Sequence, residues 1–162
     1  MTYAITSYIG AQPITETSTT QKHPLGTIVR AKDPTYGEGE FIYLTGIGST
    51  TVGSIVNYDD SYTTALNTTG LATPRPLAIA MSANVASQYG WYQISGLAIA
   101  SKANSVSFAK GAALGSGSGL AVAVASGIII NGALVAVVAS AKSDVTTVKV
   151  MINRPHDPSD VS

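Results

Sequence analysis

Between Lys110 and Lys142 the chain carries no charged residue, and this run, Gly111 to Ala141, constrains the fold more than any other segment. The part from Gly119 to Ala141 is long enough to cross a bilayer as a helix at about 1.5 Å per residue. It is nevertheless interrupted by Ser126-Gly127 and Asn131-Gly132. Asn-Gly between apolar stretches is a strong short-range hairpin signal. Leu120 to Val124 and Leu134 to Val138 alternate large and small side chains and are enriched in valine, as strands are when both faces meet protein. The expectation is two strands joined at Asn131-Gly132, with no membrane partner.

The same pattern recurs along the chain. Strand-like runs span residues 26–32, 40–45, 52–58, 77–82, 90–94, 97–101, 105–108, 120–124, 134–139 and 145–152. They are separated by Asp33-Pro34, Gly37-Glu38-Gly39, Gly46-Ile47-Gly48, Thr73-Pro74-Arg75-Pro76 and the Gly115–Gly119 loop. Many short strands at regular spacing give an all-β sandwich or barrel, with a helical turn allowed only around residues 83–87.

Residues 1–25 show neither a helical period nor a compact strand pattern and read as an extended N-terminal arm. The arm carries Tyr3, Ile5, Tyr8, Ile9 and Ile14, more apolar side chains than a disordered tail usually has, so they are candidate partner contacts, with packing on the chain's own domain equally allowed. The core is expected over 26–155. Residues 156–162 are a short C-terminal tail, because Pro155 and Pro158 stop regular structure after the last strand. The start of the chain shows neither a basic n-region nor a long apolar h-region, so secretion is not indicated.

Charged residues make up only 11% of the 162 positions, well below the usual quarter. A surface so poorly supplied with charge is expected to be covered by partners. Nine basic and nine acidic residues cancel and are scattered, which leaves no footprint for nucleic acid. Without cysteine there are no disulfides, thiolate metal sites or cysteine nucleophiles.

Candidates for chemistry are few. His23 and His156 both sit beside proline in the expected tails, where no scaffold would position an imidazole for catalysis. Asp59-Asp60 and Glu38-x-Glu40 could be paired carboxylates or calcium ligands, but Tyr58-Asp59-Asp60-Ser61 reads better as a turn. The Gly115–Gly119 glycines lack a following helix to make a phosphate cradle and read as a flexible loop. The expectation is no enzyme, no cofactor and no metal. Trp91 and Tyr92 could anchor an interface or stack on a sugar, or could equally be core.

Three segments, Tyr89-Gly90-Trp91-Tyr92-Gln93-Ile94-Ser95-Gly96, Leu77-Ala78-Ile79-Ala80 and Val150-Met151-Ile152-Asn153-Arg154-Pro155, resemble the capsid cement, or head decoration, proteins of tailed bacteriophages. The resemblance runs from about Gly26 to Pro155. It implies a jelly-roll-like β-sandwich that binds the major capsid protein lattice on the outer surface of the virion, as a homo-oligomer, a trimer before a dimer. It carries no catalytic residue. The alternative is a receptor- or glycan-binding virion appendage in which Trp91 and Tyr92 face carbohydrate. A hydrolase built on Asp59 or Asp60 comes third.

Overall fold

A computed structural model describes residues 4–5, 10–68, 74–83, 86–124, 129–142 and 145–157. The protein is all-β, with no helix among the described residues. Its twelve strands are β1 (Ala4–Ile5), β2 (Thr17–Ser18), β3 (Ile28–Asp33), β4 (Gly37–Thr45), β5 (Ile55–Tyr58), β6 (Thr64–Leu66), β7 (Leu77–Ala80), β8 (Tyr89–Ser101), β9 (Gly115–Gly117), β10 (Leu120–Val122), β11 (Asn131–Val135) and β12 (Thr147–His156).

β8 organises the molecule. One edge pairs antiparallel with β4, from Tyr89 opposite Thr45 to Ser95 opposite Glu40. The other edge is shared by three strands. β2 takes Tyr89 and Gly90, β7 takes Tyr92 and Gln93, and β12 takes Ser95 to Ser101. The sheet therefore divides along this edge: β7 leads on to β5 and β6, and β12 leads on to β11. Between the two branches lies an apolar core of Ile55, Leu77 and Ile79 facing Ala98, Ala100, Val148, Val150, Ile152, Ala133 and Val135. Large antiparallel sheets enclosing a core in this way are consistent with a β-sandwich. A second cluster gathers Ile14, Val29, Phe41, Tyr43, Met81 and Trp91, and a third gathers Ile42, Leu44, Val56, Tyr92 and Ile94.

Local chemistry accounts for several departures from the sequence reading. Residues 90–94 and 97–101 form one strand, because Ser95-Gly96 is a bend within β8 and not a turn. Gly96 has φ +101°, and a Cβ there would stand 2.5 Å from the Glu38 carbonyl oxygen. Asn131-Gly132 makes no hairpin. It opens β11, and the register against β12 shifts between Asn131 and Ala133: Gly132, at φ +74°, stands alone against Asn153, Arg154 and Pro155, so the extra residues bulge from β12. The hairpin lies earlier, in the glycine run expected to be a flexible loop. Gly117 pairs with Leu120, and the intervening Ser118 (φ 50°) and Gly119 (φ 77°) are both left-handed, as a type I′ turn requires. Residues 105–108 form no strand and contribute a single bridge, Phe108 to Ala139. The expected strand over 134–139 ends at Val135, and the one over 145–152 continues through Pro155 to His156.

The described part of the N-terminal segment, residues 10–25, is not an extended arm. Ile14 is 1% exposed, β2 pairs with β8, and the Trp91 indole N–H donates to the Gln12 carbonyl at 2.9 Å. The last described residue is likewise fastened. Asp157 is buried, its N–H donates to the Arg75 carbonyl, and its Oδ2 accepts from the Asn67 side-chain amide at 3.1 Å. The folded unit thus reaches beyond 26–155 at both ends.

Candidate protein interface

In β12, Val148, Val150 and Ile152 are buried, whereas Thr147, Lys149, Met151 and Asn153 are exposed. Alternation of this kind turns every second side chain outward. Met151 therefore occupies a position that the pattern reserves for polar residues. It lies opposite Leu134 of β11 on one side and Leu97 of β8 on the other. Residues directly opposite across a sheet share a face, so Leu134, Met151 and Leu97 form one transverse apolar row over three strands. Leu134 and Met151 are each 52% exposed, and Leu97 is half-buried. Ile129 (38%), Val137 (51%) and Val138 (68%) add exposed apolar surface in the segments flanking β11. A shallow groove of about 400 Å³ runs between residues 129–134 and 151–153.

Polar groups bracket this row. Toward the start of β12, Lys149 lies opposite Ile99, and its Nζ stands 5.4 Å from the centre of the Tyr36 ring. In the other direction, Asn153 pairs with Ser95, and Ser95 with Glu40. Glu40 accepts from Arg154 at 2.9 Å and from Arg30 at 3.3 Å. Both arginines are largely exposed, so these ion pairs contribute only about 0–1 kcal/mol each to stability. Covering the exposed halves of Leu134 and Met151 would gain about 1 kcal/mol apiece. A micromolar complex needs about 8 kcal/mol, so the row has to act with neighbouring contacts or in many copies.

The residues singled out from the sequence fall elsewhere. Ile14, Trp91 and Tyr92 are 1%, 0% and 0% exposed and belong to the core, so none of them presents a surface to a partner or a sugar. Burial of large apolar groups outweighs any gain from displaying them. Tyr3, Tyr8 and Ile9 lie outside the described residues, as does the side chain of Ile5, whose backbone pairs with Ala31. Ser87 has a left-handed φ of 63°, while residues 84 and 85 of the possible helical turn lie outside the described residues.

Asp59 does cap a turn, its Oδ1 accepting from the Ser61 and Thr63 N–H groups. Glu40 is occupied by its two arginines. Among the described residues no group of three or more His, Asp or Glu is placed to hold a metal ion, and no helix is long and apolar enough to cross a membrane. Tyr58 is a partly buried phenol near Arg154. Burial raises its pKa, and Arg154 opposes that rise.

Comparison of the chain with protein-family models, with characterised proteins and with solved structures finds no match in any of the three.

Proposed function

We propose that this protein is a non-enzymatic structural subunit that decorates a phage capsid, setting the outer face of β8, β12 and β11 against protein neighbours on the outside of the shell. The single observation that carries this reading is the Leu134–Met151–Leu97 row, an apolar stripe centred on an outward-facing position of the alternating strand β12. Two further features support it. Only 11% of residues are charged, which suits a surface meant to be covered. The segments Leu77–Ala80, Tyr89–Gly96 and Val150–Pro155 resemble capsid cement proteins, and the divided sheet around Gly96 suits the jelly-roll-like sandwich that the resemblance implies.

The weak individual contacts favour a repeating partner. A stripe contributing a few kcal/mol per copy becomes a stable attachment when a homo-oligomer, a trimer in our reading, engages several equivalent sites of a lattice at once. The major capsid protein is the partner that offers such a lattice. Because Trp91 and Tyr92 are core residues, a sugar-stacking platform built on them is not part of the proposal.

Co-sedimentation with purified capsids tests the site. Met151→Lys and Leu134→Lys, which place a charge on already exposed positions, are expected to abolish attachment while leaving the melting temperature within a few degrees of the parent. Undiminished attachment of the double variant would remove the face from the proposal.

A further inference from the structure

We propose that His23 is an acid-sensitive latch, holding residues 10–25 against the sheet while neutral and releasing them, with exposure of Trp91, when the imidazole takes a proton.

The latch is built from a small set of contacts. His23 is 7% exposed, and its Nε2 accepts the backbone N–H of Gln12 at 3.2 Å. A backbone N–H can only donate, so this nitrogen must be unprotonated. The same residue, Gln12, gives its carbonyl to the Trp91 indole N–H, and its side-chain amide donates to the Glu16 carbonyl. The ring packs edge-on against Tyr43, with centroids 5.0 Å apart, and tilted over Trp91 at 5.4 Å. His23 therefore bridges the two ends of the segment and the aromatic cluster beneath it. Protonation turns Nε2 into a donor facing another donor, and the buried Gln12 N–H loses its acceptor.

Other groups around the ring set the direction. Lys22, beside it in the chain, repels an imidazolium. Tyr43 of β4, whose hydroxyl accepts the Lys22 N–H at 3.3 Å, and Tyr89 of β8, stacked on Tyr43, surround the ring with aromatic surface. The aromatic faces would attract a cation. Against that attraction, burial first and Lys22 second pull the pKa of His23 below its ordinary 6.5. The released segment regains the ordinary value, so the latch is fully engaged above pH 6.5 and weakens as pH falls below it, until the bound imidazole is itself protonated.

Trp91 is the only tryptophan, so acrylamide quenching of its emission reads the latch directly in the full chain. Between about pH 7.5 and about pH 4.5, quenching is expected to rise with a midpoint below 6.5 while the far-ultraviolet dichroism of the strands persists. His23→Gln, whose side-chain oxygen accepts the same N–H without titrating, should hold quenching at its neutral-pH level throughout. Flat quenching in the parent protein, or an equal rise in His23→Gln, would overturn the proposal. Should that variant fail to fold, NMR titration of the two histidine rings decides. A His23 pKa below 6.5 that moves together with the Trp91 indole N–H signal supports the latch, and one at or above 6.5 refutes it.

Discussion

Gly96 shows how much of this architecture rests on one missing methyl group. Its φ of +101° and the Glu38 oxygen 2.5 Å from any Cβ leave no space for a side chain, and the obstacle is backbone. Gly96→Ala is expected to destabilise the protein by about 2–4 kcal/mol in urea unfolding, because β8 can no longer bend between its two sets of partners. A second residue-scale test concerns the polar cluster that ties the end of β12 to β5 and β6. Asn57 donates to Asn67 Oδ1, Asn67 donates to Asp157 Oδ2, and Asp157 Oδ1 is buried without a partner. Asn67→Ala removes the side chain bonded to Asp157 Oδ2 and should cost about 2–4 kcal/mol, more than an exposed asparagine would, measured in the same way. Neither role was legible in the sequence. A glycine within Ile94-Ser95-Gly96-Leu97 looks like a turn unless its neighbours are known, and the pairing of Asn67 with Asp157 spans 90 positions.

At the scale of elements, strand-like runs bounded by turn signals made β3, β4, β5, β7 and β12 legible, while glycine-containing pairs were assigned to the wrong kind of feature. Asn131-Gly132 has the ideal hairpin chemistry and instead lies opposite a bulge in β12, because β11 already pairs with β12 and Gly132 sits against the Asn153 carbonyl. Ser118-Gly119 has weaker chemistry and makes the turn. Ser118→Asn, which supplies the residue a type I′ turn prefers, is expected to leave stability unchanged or raise it by about 0.5 kcal/mol, and Gly119→Ala to lower it by about 1–2 kcal/mol in thermal unfolding. The N-terminal segment left two readings open, a partner or its own domain, and its described residues 10–25 pack on the domain. Its lack of periodicity was real, yet a segment can pack through a few anchors, here Gln12, Ile14 and His23, without a regular pattern. Ile14→Ala should accordingly cost about 2–4 kcal/mol, and a truncation before Pro24 should loosen the fold around Trp91.

At the scale of the whole molecule, charge poverty pointed to covered surface, but Trp91 and Tyr92, two of the aromatic residues chosen as contacts, are core. The signal that could have located the exposed row was Met151, an apolar residue in the outward phase of Val148-Lys149-Val150-Met151-Ile152-Asn153. Its partners Leu134 and Leu97 could not be found without the register. An apolar row this narrow gains its effect by repetition, so under the proposed capsid-decorating role the protein should occur on a shell in numbers that match the lattice. Quantitative mass spectrometry of purified virions, giving the copy number of this chain relative to the major capsid protein, tests that directly. A fixed ratio amounting to hundreds of copies per particle is the expected result for a lattice-covering subunit, and a handful of copies, or none, would contradict it.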